Sequence, residues 1–409
     1  MTPRPPRGIV IVGASLAGLR AAEALRADGY QGPLTFLGAE DVAPYDRPPL
    51  SKQVLLGEAH PEDLTLSAAA GLEATWRLGE PAVALDAGGR TIQTAGGDAV
   101  PFDGLVIATG SRPRALPLFG TDVPSVHVIR TISDAIRLRD VLSRTTRLLI
   151  VGAGFVGVEV AAAARLRGAD VTMVSLDPPL AAAGPLVSGT AMTLLGRNGI
   201  RLHVGRAVMT AEAAGGAHRV ELDDGAVLEA DHVVVAIGAL PNTEWLRDSG
   251  VILADGVACD AALRVPQVPG VVAAGDIARW PNPAFGGLSM RVEHWNNAVE
   301  QGAAAARSLL RGENATPFAS VPSFWSDHFG VRLQSVGVPS LADSFEVVAG
   351  ALRDGIFAAA GYSGDELVCG VAYGMPRALV ALKLKLVSSA ADTAERVTVP
   401  PDHWQQVVG

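Results

Sequence analysis

The sequence predicts an α/β chain of two doubly wound parallel-sheet domains, one inserted into the other, followed by a smaller C-terminal α+β domain. Three observations carry that expectation. Two segments share one pattern, an apolar β-branched run, a glycine cluster and an alanine-rich stretch: Gly8 to Arg26 (GIVIVGASLAGLRAAEALR) and Arg147 to Arg167 (RLLIVGAGFVGVEVAAAARLR). Three further short apolar runs end in small residues, at Leu105-VIATGSRPR, Val233-VVAIGALPN and Val271-VAAGDIARW. From about Thr316 the texture changes, with Phe324, Trp325, Phe329, Phe357, Tyr362 and Tyr373 set among alternating apolar residues.

Each element follows from its pattern. Continuous apolar strands that run into a glycine turn and a helix are βαβ openings, so two such openings imply two Rossmann-like dinucleotide-binding domains. A strand ending in small residues lets a backbone approach a ligand closely. The third such strand lies more than a hundred residues after the first, so the first domain resumes after the second. The expected division is residues 1–113 with 246–318, residues 114–245, and residues 319–409.

Composition bounds the function. A chain of 409 residues exceeds a single core. With 49% apolar residues, 46 glycines and 18% charged residues, it suits buried strands joined by tight turns. A formal net charge of −9 argues against nucleic acid or an anionic membrane as the main partner. Cys259 and Cys369 lie far apart and form no C-x-x-C, which leaves no metal-cluster motif and no redox dithiol; both read as small apolar core residues. The basic arm Met1 to Arg7 is followed by an apolar run that breaks at Gly13, too early for a signal peptide. Leu148 to Ala164 holds three glycines and Glu159, short of the ~20 apolar residues of a membrane span. The expectation is a cytoplasmic protein, a monomer or weak homodimer, with no membrane or metal.

The first glycine cluster, Gly13-Ala14-Ser15-Leu16-Ala17-Gly18, has Ser15 at the middle glycine of G-x-G-x-x-G. The first glycine makes the turn, the second admits the pyrophosphate and the third allows close helix–strand packing. The phosphate charge meets the free N–H groups of a helix N-terminus. Glu40 supplies the acid expected about 20 residues further on, placed for ribose hydroxyls. The second cluster, Gly152-Ala153-Gly154-Phe155-Val156-Gly157, matches fully. Its next strand ends at Ser175, with Asp177 two residues later and no Arg or Lys from Ser175 to Leu180. A 2′-phosphate finds no local counter-charge there, which favours NADH over NADPH.

The run Pro44-YDRPPLSK, the pair Gly275-Asp276, Arg291-VEHWNNAVEQG and Pro322-SFWSDHFGVRLQSVG resemble the FAD-dependent, NADH-using ferredoxin reductases that feed bacterial cytochromes P450 and Rieske-type oxygenases through a [2Fe–2S] ferredoxin. The resemblance spans nearly the whole chain. It implies an FAD site at Gly13, Ser15, Leu16, Ala17, Gly18, Glu40, Arg47, Lys52, Ala82, Ala108, Thr109, Gly110, Arg130, Gly275, Asp276 and Trp295. It implies a nicotinamide site at Gly152, Gly154, Phe155, Val156, Gly157, Glu159, Ser175, Asp177 and Gly238. Lys52 and Glu159 are implied as the catalytic pair across the flavin. The departures are Ser15, Ala39 and Ser175.

From the residues alone, Lys52 reads as a solvated loop lysine and Glu159 as a charge favouring a helix's first turn. Trp295 and Trp325 read as core aromatics. His294 and His328 receive no catalytic role, because hydride transfer followed by one-electron export needs no general base. An acidic ferredoxin needs a basic rim, for which Arg307, Arg311, Lys383 and Lys385 are candidates. Thiol-dependent reduction is opposed by the absence of cysteine from Pro44 to Leu56. Rubredoxin, another small acceptor, or a binding and signalling role like that of the apoptosis-inducing-factor-like flavoproteins are the alternatives.

Overall fold

A computed structural model of the chain describes residues 6–120 and 122–396; residues 1–5 of the basic arm and residues 397–409 of the C-terminal segment lie outside the described residues. The first parallel sheet takes the order Val271–Ala273, Gly104–Ile107, Ile9–Val12, Leu34–Leu37, Thr75–Arg77. Its central strand is buried throughout, as a strand covered on both faces must be. The second parallel sheet has the order Arg201–Val204, Asp170–Ser175, Arg147–Val151, His232–Val235, Val126–His127. The strand Val271–Ala273 pairs with Gly104–Ile107 only after the chain has completed the second sheet. The outward and return links run side by side, Ser111–Pro113 antiparallel to Ala239–Pro241.

The two glycine turns are built alike. Gly13 and Gly152 have φ of +118° and +104°. A Cβ on Gly13 would stand 2.0 Å from the Ala108 carbonyl oxygen, and one on Gly152 would stand 2.2 Å from that of Ala236. Gly18 and Gly157 close the turns: a Cβ would meet the Gly13 oxygen at 2.1 Å or the Gly152 oxygen at 2.4 Å. The middle position differs. A Cβ on Gly154 has nothing within 4 Å, which is why Ser15 fits at the matching place in the first turn.

Each sheet also carries a three-stranded antiparallel sheet, Ala82–Asp86, Thr91–Thr94 and Ala99–Pro101 in the first part and Val208–Ala214, Ala217–Leu222 and Val227–Ala230 in the second. The C-terminal part is a five-stranded antiparallel sheet in the order Ser323–His328, Val331–Gly337, Glu366–Tyr373, Ile356–Ser363, Ser344–Ala351. Alternation along its strands sends residues to opposite faces. Ala358, Ala360 and Ala372 meet Leu379, Leu382 and Leu386 of the helix Leu379–Arg396. Phe357, Ala359, Val371 and Tyr373 join the core that includes Ala161 and Leu195 of the second part. The C-terminal sheet is thereby fixed against the helices of the second nucleotide fold. No helix among the described residues is long and apolar enough to cross a membrane.

Candidate functional site

Three helix starts converge on one cavity of about 450 Å³. The helix Leu16–Ala27 begins at Ser15, which makes no side-chain cap bond, and its first turn holds no acid. Its free N–H groups are therefore available to an anion. The helix Phe155–Leu166 begins in the same way at Gly154. The helix Trp295–Arg311 begins at His294, and Gly302 brings it against the first helix, where a Cβ would meet the Ala17 oxygen at 2.4 Å.

Of the residues implied for FAD, Ser15, Ala17, Glu40, Arg47, Lys52, Ala108, Thr109, Gly110, Arg130, Gly275, Asp276 and Trp295 line this cavity. Gly13 and Ala82 line an adjoining space of about 250 Å³ that shares Ser15, Glu40 and Arg47. Phe155, Val156 and Glu159 of the second turn and helix also line the main cavity. A further cavity of about 560 Å³ is lined by Gly152, Gly154, Phe155, Ser175, Asp177 and Gly238, so Phe155 stands where the two meet. Leu16, Gly18 and Gly157 line none of these spaces; they pack the turns, with Leu16 in the first core.

Polar contacts fix the lining. Pro48 and Pro49 set a tight 3₁₀ turn between Arg47 and Lys52. The Arg47 guanidinium donates to Glu40 at 2.6 Å, to the Arg130 carbonyl at 2.6 Å, to the Tyr45 hydroxyl at 2.9 Å and to the Ser15 hydroxyl at 3.3 Å. Tyr45 donates to the other Glu40 oxygen at 2.7 Å, and burial holds its phenol well above the ordinary range. Asp276 accepts from Ser111 at 2.9 Å and from Arg130 at 3.0 Å. Trp295 donates its indole N–H to Asp46 at 2.6 Å and meets Trp325 edge to face at 6.0 Å. Both tryptophans line the cavity; Trp295 also packs against the first core, so the core-aromatic reading is corrected for Trp325 alone.

Lys52 and Glu159 meet at 3.0 Å with side chains 11% and 7% exposed. Glu159 also accepts from Ser51 and Ser326, each at 2.5 Å. This corrects the two bland readings: Lys52 is not a solvated loop lysine, and Glu159 is the fifth residue of its helix, beyond the first turn. A carboxylate this buried requires such partners.

Several residues escaped the sequence. Ser51, Ile129, His294, Phe324 and Trp325 line the main cavity. His294 Nδ1 is buried without a partner among the described residues, and burial pushes its imidazole down to about 4. Arg206 lines the further cavity; its backbone N–H donates to the Ser175 carbonyl at 3.1 Å and its side chain pairs with Asp224 at 2.9 Å. Adjacency to Lys52 in the run Pro44 to Lys52 could have pointed to Ser51, whereas Arg206 arrives from the next strand with no local signal. None of the four proposed rim residues lines the main cavity. Arg307 pairs with Asp28 at 3.2 Å. The helical rise puts Arg307 and Arg311 about 18 and 24 Å along the helix from Trp295.

No cysteine lines the cavity. Cys259 and Cys369 are both buried. Burial holds the Cys259 thiol far above its ordinary value and pushes Cys369 up to about 12, so neither supplies a thiolate. No group of three or more His, Cys, Asp or Glu residues is placed to hold a metal among the described residues.

The chain is similar to several known proteins. The chain is 36% identical to rhodocoxin reductase of Rhodococcus erythropolis, covering 95% of this chain and 91% of that one. It is 36% identical to the ferredoxin–NAD(+) reductase component of the anthranilate 1,2-dioxygenase system of Burkholderia cepacia, covering 96% and 97%. The solved covalent putidaredoxin reductase–putidaredoxin complex matches with a TM-score of 0.86 at 28% identity, over 99% of both chains. Residues 323–403 match the reductase C-terminal family. Residues 7–302 match the pyridine nucleotide-disulphide oxidoreductase family, and the chain belongs to that family.

Proposed function

We propose that the chain is an FAD-containing ferredoxin–NAD(+) reductase that takes two electrons from NADH and delivers them singly to a [2Fe–2S] ferredoxin supplying a cytochrome P450 or Rieske-type oxygenase. The observation that carries it is the single cavity lined from one side by Ser15, Glu40 and Arg47, and from the other by Phe155, Val156 and Glu159. The residues fit the flavin nucleotide. The helix start at Ser15 is uncapped by any side chain, and His294 Nδ1 is an unpartnered buried atom in the wall.

Bound FAD accepts a hydride and releases electrons one at a time, which a nicotinamide does not readily do. The chain's residues do the rest. The N-terminus of the helix Leu16–Ala27 would hold the pyrophosphate, with Glu40 on the ribose and Arg47 locking Glu40, Ser15 and the Arg130 backbone into one frame. Arg130, Thr109 and Asp276 would line the path to the ring, and Trp295 and Trp325 would exclude water from it. The second glycine turn would hold NADH, with Ser175, Asp177 and Gly238 at its adenosine end. Glu159, gripped by Lys52 and two serines, would position the nicotinamide against the ring. Such positioning accounts for a large part of the rate of an oriented transfer.

The paired links Ser111–Pro113 and Ala239–Pro241 support a division at residues 1–113 with 246–318, 114–245, and 319 onwards. The acceptor is tested by steady-state turnover with NADH and a [2Fe–2S] ferredoxin, a rubredoxin or a small organic oxidant. The ferredoxin is expected to give a kcat/KM at least about tenfold above the others. Preference for rubredoxin would reassign the acceptor. Slow turnover with every acceptor would favour a binding or signalling role.

A further inference from the structure

Resting on the function just proposed, the reaction has a proton to account for. The C4–H bond of the dihydronicotinamide breaks as a hydride, and two ferredoxins take one electron each. NADH and two oxidised ferredoxins thus give NAD⁺, two reduced ferredoxins and one proton. This exchange occurs beneath a bound nucleotide, beside a carboxylate only 7% exposed.

Behind Glu159 and Ser326 lie two buried polar groups, His328 and Tyr373, that the mechanism leaves unused. Ser326 donates to Glu159 at 2.5 Å and meets His328 Nε2 at 2.9 Å; His328 Nδ1 faces the Tyr373 hydroxyl at 3.5 Å. All three are at most 1% exposed. Tyr373 also lines a separate cavity of about 350 Å³, together with Thr190, Arg197, Val331 and Asp354, between the helix Pro185–Arg197 and the C-terminal sheet. We propose that Ser326, His328 and Tyr373 form a proton path between Glu159 and this second cavity.

Donor counting fixes its resting state. A serine has one hydroxyl proton, and Ser326 gives it to Glu159, so His328 must donate Nε2–H to Ser326. Its Nδ1 is then the acceptor for Tyr373. Burial, with Lys52 adding to it and Asp327 opposing, pushes the imidazole down to about 4, and burial pushes the Tyr373 phenol up to about 12. The imidazole is thus neutral and the phenol protonated near pH 7. A proton entering at Tyr373 shifts each hydrogen one place inward, leaving Glu159 protonated and His328 as its Nδ1–H tautomer. A proton leaving Glu159 reverses the sequence. One proton enters to offset the hydride's charge and leaves again by the reverse shift with one electron. The hydride's own proton, released with the other electron, departs through the main cavity, since a second outward shift would find His328 Nε2 already protonated, and it is the net proton of the balance.

Two variants separate conduction from mere positioning. His328→Gln keeps an N–H donor for Ser326 but cannot exchange one ring nitrogen's proton for another's. Tyr373→Phe removes only the outer hydroxyl. Stopped-flow reduction by NADH, followed by flavin absorbance and by a pH-indicator dye, should show proton uptake in step with reduction in the wild type. In both variants uptake should lag by about tenfold or more, while flavin bleaching stays within about twofold. Uptake that keeps pace in both variants would overturn the path. Nitrogen NMR of the histidines is an independent readout without turnover: His328 should carry Nε2–H at rest and lose that preference in Ser326→Ala. A resting Nδ1–H form would also overturn the path. Absence of bleaching in the wild type would strike the proposed function instead, and the NMR result would still decide the path's arrangement.

Discussion

Gly13→Ala tests the first nucleotide turn most sharply. The new Cβ would lie 2.0 Å from the Ala108 oxygen, 2.4 Å from its carbonyl carbon and 2.9 Å from the Thr109 nitrogen. Ordinary contact begins at 3.4 Å, so the end of the strand Gly104–Ile107 must retreat by about 1.4 Å. The φ of +118° adds backbone strain of about 1–2 kcal/mol, and the forced displacement adds about 1–3 kcal/mol. A loss of about 2–5 kcal/mol is a large share of the 5–15 kcal/mol typical of a folded domain. Because Ala108 and Thr109 line the cavity, the flavin should be lost with the stability. The assay is the ratio of flavin to protein after desalting, with thermal melting in the presence and absence of FAD. The comparison is Gly154→Ser, at φ −72° with nothing within 4 Å of its Cβ, which should leave melting unchanged to within about 0.5 kcal/mol. Full flavin retention and unaltered melting in Gly13→Ala would refute the steric reasoning.

Three further predictions concern the electrostatics. Freeing Arg206 by Asp224→Ala should tighten NADPH binding by about tenfold, equal to about 1.4 kcal/mol, with NADH binding nearly unchanged; equilibrium titration with both nucleotides checks it, and an unaltered ratio would place Arg206 away from the 2′ position. Neither Cys259 nor Cys369 should react with a thiol reagent at pH 8 in the folded protein, and both should react after denaturation; prompt labelling of the native chain would contradict their burial. His127 and His328 are each pushed down to about 4 by burial from an ordinary 6.5. The unfolded chain therefore binds more protons than the folded one between those values, so stability is full above pH 6.5 and falls as pH drops toward 4. The slope in mid-window is about 1.4 kcal/mol per pH unit for each histidine. Denaturant titrations at several pH values check this, and a flat profile from pH 6.5 to 4 would contradict it.

What the sequence made legible was local. A strand, a glycine turn and a helix are contiguous, and their requirements are written at fixed spacings, so both turns and Glu40 could be placed by counting. The resumption of the first fold was legible because Val271-VAAGD repeats the look of a strand end. The chemistry around Glu159 was not. Its partners Ser51 and Ser326 stand 108 and 167 residues away in the chain, and no periodicity links them. Trp325 was assigned to the core because tryptophan is usually buried, yet its ring meets Trp295 across a cavity wall. Arg307 and Arg311 were legible only as charge: it can be counted in a sequence, but its distance from the site is set by which end of the helix Trp295–Arg311 faces the cavity.

The central claim, that both nucleotide folds serve one electron path, is tested most directly by anaerobic single turnover. The flavin-loaded protein is mixed with NADH while flavin absorbance is followed, then mixed with an oxidised [2Fe–2S] ferredoxin. The account predicts rapid bleaching by NADH and recovery of the flavin as two ferredoxins are reduced per NADH. A flavin that NADH does not bleach, or one that bleaches but passes no electrons to the ferredoxin, would contradict it.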